Sequence, residues 1–135
     1  MLSLTPISYK DLNHRQKENY NFQKLASKLA EYGFNCIRLS DDYQGADFLA
    51  CHKDGDILKV QLKGRLTIAK KYEKARLFIA FPYQDKWYIY DHNTIMKKIT
   101  ESRPSLASSQ SWDQEFGQYS WRQPPKEILG WLQTL

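Results

Sequence analysis

Cysteine is scarce in this chain of 135 residues: Cys36 and Cys51 are the only two, and they lack CxxC spacing. That arrangement argues against a zinc site and leaves two buried, reduced thiols in strands as the expectation. Long apolar runs are missing as well. Nothing approaches the roughly 18 apolar residues of a membrane span, so no membrane segment is expected. The opening Met-Leu-Ser-Leu-Thr-Pro-Ile-Ser-Tyr-Lys has neither the basic start nor the apolar core of a signal peptide, which makes a cytoplasmic protein the expectation. No internal repeat is visible. No charge sign dominates either: 20 Lys and Arg stand against 15 Asp and Glu, a net charge of +5. This leans modestly toward a polyanionic partner and suits a merely soluble basic domain equally well, so the clustering of the charges has to separate the two.

What is present describes one packed domain over residues 1–135. The apolar fraction is 41% and the aromatic fraction 14%, enough for a single core and too little chain for a second. The most informative stretch runs from Gly45 to Arg65. Asp54-Gly55 is a turn signal between two apolar runs, and the second run alternates, with Leu58, Val60 and Leu62 on one face and Ile57, Lys59, Gln61 and Lys63 on the other. Whether Asp47 joins Gln61 and Lys63 depends on the turn, because a one-residue slip sends a strand residue through to the opposite face. A two-residue turn at Asp54-Gly55 puts Asp47 opposite Leu62. A three-residue loop, Lys53-Asp54-Gly55, with Gly55 left-handed, puts it opposite Gln61. A carboxylate, an amide oxygen and an ammonium together suit a hard divalent cation beside a phosphate or a water.

These residues resemble the PD-(D/E)XK phosphodiesterases, the restriction-endonuclease-like fold. Gly-Ala-Asp47 stands where that family has Pro-Asp, and Gln61-Leu62-Lys63 stands where it has (Asp/Glu)-X-Lys, with Gln in place of the second acid. The pattern is closest to the resolvase-like and homing-endonuclease branches. The resemblance implies an α/β (α+β) fold with an αβββαβ core, a mixed central sheet flanked by helices. It implies a divalent-metal-dependent endonuclease acting on DNA, with RNA not excluded. Glu18, Asp47, the Gln61 amide oxygen and the Leu62 backbone carbonyl would hold Mg²⁺ or Mn²⁺. Glu18, Asp47, Gln61 and Lys63 would be the catalytic set, Lys63 acting on the attacking water and on transition-state charge. Many members work as dimers, which leaves a homodimer open.

In chain order, residues 1–12 read as an arm. A helix capped by Asp11 or Asn13 and stopped at Gly33 carries an apolar stripe of Phe22, Leu25, Ala26, Leu29 and Ala30. Glu18 shares that face, either as an exposed acid near the helix start or, by the resemblance, as a site member. Phe34–Leu39 reads as a strand and Ser40–Gly45 as a polar loop whose Asp41 and Asp42 are turn formers before they are ligands. After Lys63, seven of the fourteen residues from Lys63 to Arg76 are charged and six are positive. Arg65, Lys70, Lys71, Lys74 and Arg76 are the nucleic-acid-binding candidates, against the plainer reading of a solvated loop and one helical turn. Leu77–Phe81 reads as a buried strand ended by Pro82, and Trp87–Tyr90 as the next. Asp91 or Asn93 then caps a short helix carrying Ile95, Met96 and Ile99, with His92 a polar residue at its start. Glu101–Gln118 reads as a long exposed loop. Trp112, Phe116, Tyr119 and Trp121 lead to an edge strand, and Pro124-Pro125 opens a last helix. Residues 101–135 form a C-terminal extension. Trp121 and Arg122 are able to stack on bases, though covering the sheet is the ordinary use of such residues. Two other functions stay open: a non-catalytic nucleic-acid-binding module on the same fold, and an interaction domain in which Asp47 and Lys63 form a salt bridge.

Overall fold

Helix α1 spans His14–Ala30 and begins with a reciprocal capping box, in which Asn13 accepts from the Gln16 N–H while Gln16 accepts from the Asn13 N–H. The sequence carries this start locally, and Gly33, at φ +88°, carries the stop. The computed structural model describes residues 2–110, 112 and 117–135. The strands that follow are β1 (Phe34–Tyr43), β2 (Ala46–His52), β3 (Ile57–Leu62), β4 (Leu66–Ala69), β5 (Phe78–Tyr83) and β6 (Lys86–Asp91). Next come helices α2 (His92–Ser102) and α3 (Pro104–Ala107), strand β7 (Gln118–Trp121), helix α4 (Lys126–Leu129) and strand β8 (Gln133–Thr134).

Six strands form one mixed sheet in the order β1-β2-β3-β5-β6-β8, with β3 and β5 parallel and the other neighbours antiparallel. Alternation sorts the sheet's side chains onto two faces. Leu25 and Leu29 of α1 cover Phe48, Ala50, Val60, Ala80, Trp87 and Ile89 on one face. Each such leucine contributes roughly 1.5–3 kcal/mol by leaving water. Ala30, expected in the same stripe, is exposed at the helix end. On the other face Ile79, Phe81, Tyr88 and Tyr90 meet Ile95 and Ile99 of α2, Leu66 and Ile68 of β4, and Ile128. With helices on both faces, the architecture is mixed α/β.

The β2–β3 hairpin adopts the odd register. Phe48 pairs with Val60 and Ala50 with Leu58, so the same register sets Asp47 opposite Gln61. The loop is Lys53-Asp54-Gly55: His52 N–H donates to Asp56 O, and Gly55 has φ +108°, a conformation that only glycine adopts freely.

Four local expectations are corrected. Ser40–Gly45 is not a loop: β1 continues to Tyr43, and Gln44-Gly45 closes a tight turn with both φ values positive and Tyr43 paired to Ala46. The basic segment after Lys63 is not a solvated loop. It contains β4, all four residues of which are buried, because β4 pairs with β7 in a separate two-stranded ribbon. Pro82 does not end its strand; β5 runs to Tyr83. Residues 101–110 are not one exposed loop, since α2 ends only at Ser102 and α3 buries Leu106. Phe116 lies outside the described residues. The last helix is a single turn, and the chain then adds β8 to the sheet beside β6.

Two buried polar residues fasten the ribbon to the sheet. The Tyr90 hydroxyl donates to Thr67 O (2.6 Å) and accepts from Thr67 N–H (3.1 Å). His92, read as a polar residue at a helix start, is fully buried and takes the Ala69 N–H on Nε2 at 3.0 Å. That bond leaves the ring proton on Nδ1, which donates to Asn93 Oδ1 (3.0 Å), and Asn93 donates in turn to Glu73 O (2.6 Å).

Candidate active site

The β1–β2 ladder breaks at one place. Arg38 pairs with Phe48 and Tyr43 with Ala46, so Leu39, Ser40, Asp41 and Asp42 span on β1 what Asp47 alone spans on β2. Such a bulge bends the strand and frees its residues from the ladder. Beside it lies a cavity of about 300 Å³ whose lining includes Glu18, Arg38, Asp41, Asp42, Asp47 and Gln61. Residues of α1, β1, β2 and β3 therefore meet at one opening.

Asp47 Oδ2 accepts from the Leu62 N–H at 2.8 Å. The residue is open at the cavity mouth, yet the surrounding walls raise its pKa above the ordinary carboxylate value of 3.8. Lost hydration is the main cause. The Leu62 N–H and the Lys63 charge pull the other way, and the negative charges of Asp42 and Glu18 add to the rise. A carboxylate short of water and facing two more carboxylates gains from a cation.

Of the expected site residues, Glu18, Asp47, Gln61 and Leu62 all line the cavity. Leu62 touches Asp47 through its N–H rather than its carbonyl. The Glu18 carboxylate is half exposed and lies 3.0 Å from His14 Nε2, one turn earlier on α1. Lys63 stands beside the cavity: its charge is felt at Asp47, while its Nζ lies 5.3 Å from the centre of the Tyr72 ring. Asp47 and Lys63 thus share a field without forming an ion pair. Lys71 Nζ approaches the same ring at 5.1 Å, and Lys70 Nζ lies over Trp112 at 5.3 Å. Arg65, Lys71, Lys74 and Arg76 are exposed and Lys70 is half-buried. They do not form an unbroken basic stretch, because β4 separates Arg65 from Lys70 by four buried residues, about 13 Å of strand.

Other cavity residues were missed or undervalued in the sequence. Arg38 donates to Asn19 Oδ1 and packs over the Phe22 ring at 5.3 Å, which puts a guanidinium in the cavity wall. A signal existed: Phe34, Cys36 and Arg38 alternate on one strand face, so a charge occupies an inward position. Asp41 and Asp42, read first as turn formers and second as ligands, both line the cavity because of a bulge that nothing local announces. Cys36 is no nucleophile candidate: burial, with help from Cys51, pushes its thiol pKa up to about 11.

Among the described residues no three His, Cys, Asp or Glu side chains gather into a metal cage. The cavity's donors are nevertheless all oxygens, and Mg²⁺ is ordinarily held by one or two carboxylates with waters and substrate phosphate completing its shell. Asp47, Glu18 and the Gln61 amide fit that chemistry. Among the described residues no helix is long and apolar enough to cross a membrane. No protein-family model, curated protein or solved structure matches the chain.

Proposed function

We propose that this protein is a divalent-metal-dependent nuclease that hydrolyses phosphodiester bonds in DNA, with a restriction-endonuclease-like core. The observation that carries the reading is the register of the β2–β3 hairpin, which sets Asp47 across from Gln61 with Lys63 two residues on and Glu18 on the same cavity. The α1-β1-β2-β3 order and the parallel β5 support that core, with β4 and a single 3-10 turn at Lys70–Tyr72 standing where αβββαβ has a helix.

Asp47 and Glu18, with the Gln61 amide oxygen, would hold Mg²⁺ or Mn²⁺. When bound, such a cation supplies charge stabilisation at the phosphate and acidifies a nearby water. Asp47 keeps one oxygen for that role, since the Leu62 N–H fixes the other and with it the carboxylate's orientation. Lys63 is near enough to act on Asp47 electrostatically, and a turn of its flexible stem off Tyr72 brings the ammonium toward a phosphate or its attacking water. Arg38 offers a second cation in the cavity lining. Exposed Arg65 and Lys71 suit backbone phosphates of the bound strand.

A second reading has its own support. Gln61 in place of an acid, together with the absence of a three-ligand cage among the described residues, suits a module that binds nucleic acid without cutting it. The test is cleavage of supercoiled, linear, branched and single-stranded DNA by purified protein, with Mg²⁺, Mn²⁺ or chelator, beside Asp47→Asn. Metal-dependent cutting by the wild type alone is expected. Tight binding without cutting of any substrate would establish the module instead, and equal cutting by Asp47→Asn would remove this site from the reaction.

A further inference from the structure

Arg103 carries the buried polar side-chain atom left without a partner among the described residues, its Nε. Glu127 Oε2 is 3.8 Å from Arg103 Nη2, a charge neighbour too distant for a hydrogen bond, and it is itself mostly exposed. A guanidinium keeps its charge and its rigid fork of five donors at any working pH, so Arg103 retains donor capacity that the described residues do not use.

Arg103 lines a cavity of about 350 Å³ together with Ser105, Ser109, Tyr119, Trp121 and Pro125. Tyr119 and Trp121 lie two residues apart on β7 and so share a face. Their ring centres are 4.6 Å apart at 55°, and Tyr119 remains 37% exposed. Aromatic rings, two hydroxyl-bearing side chains and an under-used guanidinium complement a flat heterocycle with acceptors on its edge.

Its position in the fold points to the same ligand. Trp121 pairs with Leu66, three residues after Lys63, and the next position along the ribbon holds Arg65 on one strand and Arg122 on the other, both exposed. A run of cations, Lys63, Arg65 and Arg122, therefore leads from the Asp47 cavity to the edge of the aromatic one.

We propose that this cavity binds an unpaired nucleobase of the polynucleotide that reaches the Asp47 site, an inference that rests on the nucleic-acid reading of that site. The base stacks on the exposed Tyr119 ring, which rests against Trp121, and presents its edge to Arg103. Guanine, with O6 and N7 as adjacent acceptors, matches the fork best.

The experiment compares binding, by fluorescence anisotropy in chelator, of a blunt DNA duplex and the same duplex with a short thymine tail carrying one guanine. Wild type is expected to bind the tailed duplex roughly tenfold more tightly, the scale of one stacked and hydrogen-bonded base. Arg103→Met and Tyr119→Leu should lose that preference and keep the blunt-duplex affinity, and replacing the guanine with thymine should weaken wild type alone. Arg103→Met gives up a charge contact with the mostly exposed Glu127 at 3.8 Å and Tyr119→Leu keeps apolar bulk, so two independent variants guard against a folding artefact. Equal preference in wild type and both variants overturns the proposal. A wild type that cuts DNA but ignores the tail overturns it while leaving the nuclease reading intact. Tail preference lost in the variants, with no cutting by wild type, upholds the cavity and removes the nuclease reading. No binding to any polynucleotide overturns both.

Discussion

The Asp47 carboxylate holds the backbone N–H of Leu62 at 2.8 Å, fifteen residues along the chain and across the hairpin from it. That bond does two things. It stitches the end of the β2–β3 ladder where β1 has bulged away, and it orients the one acid that faces both Asp42 and Glu18 in the cavity. Position 47 therefore separates geometry from charge, because asparagine can accept the same N–H without the negative charge.

Asp47→Asn should keep the fold and lose cleavage by at least about a hundredfold, the scale for loss of a charged metal partner. The raised pKa also fixes the sign of a pH effect. The folded protein holds the Asp47 proton more tightly than the unfolded chain, so this group's contribution to stability is present below the ordinary value of 3.8 and declines as pH rises through the raised value. Asp47→Asn lacks that decline and should match or exceed wild-type stability at pH 7 in chelator, while Mg²⁺ should raise the melting temperature of wild type alone. Urea titrations and thermal melts over pH 3–8 check both. A metal-induced rise of equal size in the variant would move the cation elsewhere.

Lys63 and the outer cations should separate in kinetics. Lys63→Ala should abolish cutting with most binding retained, since its interaction is strongest in the transition state. Arg65→Ala and Lys71→Ala should weaken binding severalfold at low salt, and each should reduce the salt slope by about one. Single-turnover cleavage and binding titrations across salt concentrations distinguish the two classes. Loss of binding in Lys63→Ala as large as its loss of cutting would make it one more phosphate contact.

His92 should set an acid limit on stability. Burial lowers its pKa from 6.5, against smaller opposing effects of Asn93, Asp91 and Glu73. A depressed pKa means the unfolded chain takes the proton first, so the contribution is whole above pH 6.5 and is lost as pH falls toward the folded value. His92→Ala should cost roughly 2–4 kcal/mol, because it empties a buried site and strands the Ala69 N–H. His92→Gln, which keeps an acceptor and cannot titrate, should flatten the pH dependence between 5 and 7 in urea unfolding. An unchanged slope would assign the acid sensitivity to another group.

Gly45→Ala should destabilise by about 1–3 kcal/mol, since Gly45 has φ +87° and an added Cβ would sit 2.9 Å from Leu77 Cδ1. Gly55→Ala, at φ +108° with open space around it, should pay only the backbone cost. Thermal melts of the two, run side by side, check the order; reversal would mean Leu77 yields freely.

Features decided within a few residues were legible in the sequence. The Asn13 and Asp91 caps as one of two candidates each, the Gly33 stop, the alternation of β3 and the Lys53-Asp54-Gly55 loop as one of two registers all depend on neighbours in the chain, so residue types alone narrowed each to one or two choices. Glu18, Asp47, Gln61 and Leu62, singled out by strand alternation together with the family resemblance, are all among the residues that line the cavity. The rest depended on which strands found each other. Leu66–Ala69 looked like part of a basic loop until its pairing with Gln118–Trp121 buried it, and His92 read only as a polar helix-start residue until that ribbon covered it. Asp42 enters the cavity because β1 carries more residues between Arg38 and Tyr43 than β2 can match, a mismatch that exists only once the two strands are paired. Periodicity specifies which way a side chain points from its own backbone; only tertiary pairing specifies what stands there to meet it.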